Sequence, residues 1–183
     1  NNNQSLSISC ATTESTIRYT TNGSEPSSVS AIYTGPISVN GYTIFRAKAF
    51  KTGWPDSQTS SESYTFQTAT PVITPPGGSY NNNQSVSISC ATTESTIRYT
   101  TNGSEPSSGS TTYSGPINVT GSTILKAKAF KTGWIDSQMA TGNFTFTVLT
   151  PTLSPASGTY SSNQTITMNC ATGGSTIRYT SDG

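Results

Sequence analysis

Seven Asn-x-Ser/Thr tripeptides stand in the sequence, at Asn3, Asn22, Asn83, Asn102, Asn118, Asn143 and Asn163. Each offers the side-chain amide and the hydroxyl two residues on that N-linked glycosylation requires. With 31 Ser, 34 Thr and 13 Asn in 183 residues, chance alone yields roughly four or five such tripeptides, so number carries little weight. Placement carries more. Asn3, Asn83 and Asn163 recur at one spacing in the same loop, Asn22 and Asn102 sit at a turn, and Asn118 and Asn143 fall on the outward phase of strands. Covalent N-linked glycans are therefore expected, which places the protein outside the cytoplasm, at the cell surface or beyond. They would shield a surface with little charge of its own to oppose aggregation.

The remaining chemistry is sparse. There is no histidine, only 9% of residues are charged and the net charge is +1. Within these residues, imidazole metal sites, Ser-His-Asp or Cys-His machinery and histidine pH switches are excluded. No basic cluster marks a nucleic-acid partner, and no apolar run approaches the roughly 20 residues of a membrane helix. Glu14, Glu25, Asp56 and their counterparts Glu94, Glu105, Asp136 are scattered singly, with nothing to favour paired acid/base catalysis. No catalytic residue, metal site or cofactor is expected. Trp54 and Trp134, each in a Lys-Thr-Gly-Trp loop, are candidates for stacking on a sugar ring or for packing at a joint between domains. Cys10, Cys90 and Cys170 recur once per repeat. A domain about 30 Å across separates them too far for the roughly 7 Å that a disulfide spans, so each reads as a buried free thiol.

These residues are carried by short alternating segments. In Ser85-Val86-Ser87-Ile88-Ser89-Cys90 the apolar residues share one face and the serines the other, and Ile117–Val119, Thr123–Ala129 and Phe144–Val148 alternate likewise. Such segments are half-buried antiparallel strands. Asn102-Gly103, Ser114-Gly115-Pro116, Thr120-Gly121 and Thr132-Gly133 supply the turns between them. About seven short strands in 80 residues point to a Greek-key sandwich.

Self-similarity sets the organisation. Residues 1–80 and 81–160 agree at 54 of 80 positions, and residues 161–183 match the opening of the first repeat at 12 of 23. Proline-rich stretches at 70–78 and 150–155 look like domain openings. On that phasing, 1–70 is a β-sandwich lacking its first strand, 71–150 is a complete one, and 151–183 holds the opening strands of a third, in an array expected to continue past both ends. The fold class is all-β: tandem immunoglobulin-like Greek-key β-sandwich domains of 80-residue period.

Thr96-Ile97-Arg98-Tyr99-Thr100-Thr101-Asn102-Gly103-Ser104-Glu105-Pro106-Ser107, then Tyr113-Ser114-Gly115-Pro116-Ile117, form one recognisable pattern; Lys126-Ala127-Lys128-Ala129-Phe130-Lys131-Thr132-Gly133-Trp134-Ile135-Asp136-Ser137 and Pro155-Ala156-Ser157-Gly158-Thr159-Tyr160 form others. Together they resemble the chitobiase/β-hexosaminidase C-terminal-type domain, a fibronectin-III-associated, Ig-like sandwich. The resemblance implies tandem modules on bacterial cell-surface proteins or accessory modules of carbohydrate-active enzymes, without catalytic residues. Where that family's tight turn reads Asp-Gly, as at Asp182-Gly183, the first two repeats read Asn22-Gly23 and Asn102-Gly103. The expectation is a structural extracellular protein, a glycosylated fibril or surface stalk whose partners are copies of itself and glycans. The alternatives are a carbohydrate-binding or spacer module of a secreted polysaccharide-active enzyme, and the stalk of an adhesin.

Overall fold

The computed structural model describes residues 4–181, so Asn3 and the Asp182-Gly183 turn lie outside the described residues. Among the described residues every element is a strand, and the protein divides into two compact units. The division does not follow the repeats: one unit holds the residues up to Pro71 together with Cys90–Ile97 and Lys128–Gln138 of the second repeat.

In that unit β1 (Gln4–Leu6) pairs antiparallel with β4 (Ile37–Val39). A four-stranded sheet runs β3-β2-β5-β6, with β2 at Thr16–Thr20, β3 at Ala31–Ile32, β5 at Thr43–Phe50 and β6 at Ser60–Tyr64. Alternation along β5 buries Phe45 and Ala47 while Arg46 and Lys48 reach toward water. Removing those apolar side chains from water is the main favourable term, at about 25 cal/mol per Å². Tyr19 of β2 stacks flat on Phe45, ring centres 5.1 Å apart. The turn at Asn22-Gly23 needs glycine: φ is +78° at Gly23, and its N–H donates to Ile44 O at 2.9 Å.

The other unit comprises Val72–Ser89, Arg98–Ala127 and the described residues from Met139 on. One sheet runs β12-β9-β7, with β7 at Val72–Thr74, β9 at Gln84–Ser89 and β12 at Ile117–Val119. The second runs β11-β10-β13-β14-β8, with β8 at Gly78–Tyr80, β10 at Thr96–Thr100 (in this unit from Arg98 on), β11 at Thr111–Thr112, β13 at Thr123–Phe130 (in this unit up to Ala127) and β14 at Ala140–Phe146. Two sheets closing on Val86, Ile88, Val119, Leu125, Ala127 and Phe144, all buried, make the Ig-like β-sandwich. The opening of the third repeat adds β15 (Thr152–Ser154) paired with β16 (Thr167–Asn169).

Two expectations need correction. Alternation predicts antiparallel strands throughout, yet β8 runs parallel to β14, Gly78 opposite Phe144. Glycine permits that approach, because a Cβ on Gly77 would lie 2.4 Å from the Asn143 nitrogen. The cysteines are free but not buried: Cys10 is exposed, Cys90 and Cys170 half-buried. Cys90 and Cys170 lie one residue past the ends of β9 and β16, and Cys10 four residues past β1, where strand alternation no longer dictates burial.

Candidate functional site

Chemistry-bearing residues gather where the second repeat meets the first, inside the first unit. The loop after β13 is closed at its base by Ser137, whose N–H donates to Ala129 O at 3.0 Å and whose hydroxyl accepts from Ala129 N–H at 2.8 Å. Within it the Trp134 N–H donates to Lys131 O at 3.0 Å, and Gly133 takes φ +78°, so the indole is held at the tip. It packs on Phe66, ring centres 5.0 Å apart and planes at 38°. Its Nε1–H donates to Asn40 O at 2.6 Å, and the Lys131 ammonium lies 4.9 Å from the ring centre.

Backbone bonds flank the ring. Ile135 N–H donates to Phe66 O at 2.8 Å, Thr68 N–H to Ile135 O at 2.9 Å and Tyr42 N–H to Gly133 O at 3.0 Å. The peptide leading into the second repeat is held on both sides. Ala69 N–H donates to Thr92 Oγ1 at 2.8 Å, and Ala69 O accepts from Cys90 Sγ at 3.2 Å. Within the second unit the same pair recurs 80 residues on: Leu149 N–H donates to Thr172 Oγ1 at 2.9 Å, and Leu149 O accepts from Cys170 Sγ at 3.2 Å.

On one side of Trp134 an open groove of about 420 Å³ is lined by Asn40, Gly41, Thr93, Glu94, Lys131 and Thr132. On the other, one of about 240 Å³ is lined by Tyr42, Thr65, Phe66, Gly133 and Ile135. Lys131 Nζ donates to Thr93 O at 3.0 Å and pairs with Glu94 at 3.4 Å. Glu94 holds φ +57°, as Glu14 holds +56°, and at the matching place of the third repeat Gly174 holds +74°. In the second unit a groove of about 480 Å³ runs past Asn82, Thr120, Phe146, Val148, Thr172 and Gly173.

Trp54 shares its loop sequence with Trp134 but not its surroundings: it is 62% exposed, with Lys51 Nζ 5.0 Å from the ring centre. Asn22, Asn83, Asn102, Asn118, Asn143 and Asn163 are all exposed. Asn118 and Asn143 stand in β12 and β14. Asn22 and Asn102 each use Oδ1 to accept from the N–H (3.1 Å) and hydroxyl (2.7 Å) of the serine two residues on.

The carboxylates are less isolated than their spacing implies. Glu25 accepts from the Thr59 hydroxyl, pairs with Arg46 at 3.2 Å and reaches Lys48 at 3.8 Å, while Lys48 also reaches Asp56 at 3.8 Å. The Thr59 hydrogen bond, aided by the two cations, lowers the Glu25 pKa from its ordinary value. Among the described residues no three His, Cys, Asp or Glu side chains gather as a metal site. No helix is long and apolar enough to cross a membrane. At the exposed Cys10, hydrogen bonding with Ser15, then with Thr12, lowers the thiol pKa.

The chitobiase/beta-hexosaminidase C-terminal domain matches residues 1–62, 75–141 and 155–183. The protein belongs to this family. The family takes its description from the C-terminal domain of glycosidases and suggests a carbohydrate-associated accessory module, and the three matched segments follow the three sequence repeats. Neither a curated protein nor a solved structure matches it.

Proposed function

We propose that these residues are a stretch of a structural extracellular protein: a tandem array of Ig-like domains forming a glycosylated fibril or surface stalk, with no catalysis of its own. The observation that carries this reading is the bonded joint. A spacer swinging on free linkers needs unbonded peptide between domains, whereas Ala69 and Leu149 both have N–H and C=O engaged by the following repeat. A joint repeated along one polypeptide sets the same relation between successive domains, and repetition of one heterologous contact generates a rod or helix. Exposed asparagines at matching places in the repeats supply the sugar sites, and copies of itself along the fibril and glycans are the partners. Electron microscopy of native material tests the architecture: regularly spaced domains at a fixed twist are expected, and randomly oriented beads would overturn it. Intact-glycopeptide mass spectrometry tests the coat, and seven bare sequons would remove that part.

A second reading, a carbohydrate-binding module, draws on the family and on Tyr42, 62% exposed, beside Trp134 in one groove. It expects glycan-array binding by the folded protein that Tyr42→Ala abolishes. The stalk reading expects no such binding.

A further inference from the structure

Three Asn-Gly dipeptides occur, at Asn22-Gly23, Asn40-Gly41 and Asn102-Gly103. Asparagine before glycine is chemically labile, since the glycine nitrogen meets no side chain of its own on approaching the asparagine Cγ. Two of the three are clasped. Asn22 Oδ1 is held by the Ser24 N–H and hydroxyl, and the Gly23 N–H that would have to attack is committed to Ile44 O at 2.9 Å. Asn102 and Gly103 repeat the arrangement with Ser104 and Ile124, the last bond at 3.1 Å. Asn40 differs. It is exposed and lines the open groove beside Trp134. Among the described residues no hydrogen bond engages its side-chain amide or the Gly41 N–H. The second repeat has Thr120 in its place, so the two repeats differ at this site.

We infer that Asn40-Gly41 is a site of spontaneous backbone modification at the joint. The Gly41 nitrogen forms a bond to Asn40 Cγ, the bond from Cγ to Nδ2 breaks and ammonia leaves, closing a succinimide. Water then adds to one of the two ring carbonyls and opens the ring to aspartate or to isoaspartate. Nothing beyond solvent water is consumed. In the isoaspartate the backbone runs through the former side chain and is one carbon longer, and the old Asn40 carbonyl becomes part of a free carboxylate. That carbonyl is the acceptor for Trp134 Nε1–H, and two residues on the Tyr42 N–H holds Gly133 O. The change therefore strikes two of the contacts that seat the Lys131–Ser137 loop on the first repeat.

The test uses the 183-residue protein made without glycosylation, so that its outcome is separate from that of the sugar-coat reading. It is incubated at mildly alkaline pH, and peptides are followed by mass spectrometry and isoaspartate labelling. Asn40 is expected to convert first, with Asn22 and Asn102 slower by about two orders of magnitude, the effect of three hydrogen bonds that must open before attack. Gly41→Ala leaves the fold intact, since its Cβ meets nothing nearer than Gly133 O at 3.6 Å, and is expected to stop the Asn40 reaction. Ser24→Ala is expected to hasten Asn22. Conversion of Asn22 or Asn102 as fast as Asn40, or an Asn40 that stays intact, overturns the inference.

Discussion

Trp54 and Trp134 occupy matching places in successive repeats, and replacing each by alanine isolates what the joint contributes. Trp134→Ala removes the Nε1–H bond to Asn40 O, worth about 1 kcal/mol, and the ring contact with Phe66, worth about 1 kcal/mol more. A half-buried indole also hides on the order of 100 Å² of apolar surface. Part of that surface is recovered by relaxation, so the net loss is about 3 kcal/mol. Trp54, largely exposed with only Lys51 over its face, should cost less than about 1 kcal/mol. Native-state hydrogen exchange reads the difference at the Ile135 and Thr68 amides, whose bonds flank the indole. Their protection should fall about a hundredfold in Trp134→Ala, on the rule of tenfold per 1.4 kcal/mol, and stay within about threefold in Trp54→Ala. Equal effects of the two substitutions, or protection unmoved by either, would refute the reasoning that the ring clamps the joint.

Gly77→Ala forces a Cβ to within 2.4 Å of the Asn143 nitrogen and should destabilise by about 2–3 kcal/mol in thermal unfolding, whereas Gly115→Ala, with open space around it, should be nearly neutral. Glu25 has a lowered pKa in the fold. Its contribution is therefore full above the unfolded value near pH 4.3 and lost as pH falls through the folded one. Glu25→Gln should flatten the fall of the unfolding midpoint below about pH 4.3, and an unchanged acid limb counts against the Thr59 and Arg46 contacts. Exposed Cys10, its pKa lowered by Ser15 and Thr12, should be alkylated several-fold faster at neutral pH than half-buried Cys90, whose Sγ is engaged by Ala69 O. Time-resolved labelling and peptide mapping give the order.

Much of the sandwich is legible because its cause is local. Phe45 and Ala47 in β5, and Leu125 and Ala127 in β13, alternate with charged neighbours, and that alternation states which face is inward. The joint is not local. Ile135 bridges Gln67 across 68 residues with no periodic signal, and two identical Lys-Thr-Gly-Trp loops end in different surroundings because what differs is the neighbour, not the loop. The cysteines misled because strand phase gives direction, not reach: Cys90 keeps the phase of Val86 and Ile88 but lies past the end of β9 and is half-buried. The left-handed backbone of Glu14 and Glu94 had a visible clue in Gly174, which takes the matching position in the third repeat and suits that conformation without strain. The parallel pairing of β8 with β14 had only the Gly77-Gly78 doublet to announce it.

Proteases cut by drawing several residues of extended backbone into a cleft, and in proteins built of tandem modules the link between modules is where they usually succeed. Here both polar groups of Ala69 are engaged by the next repeat and Pro71 is buried, while Leu149 keeps the same two bonds. A digestive enzyme meeting this protein finds its customary point of attack already occupied, and must wait for the joint itself to open.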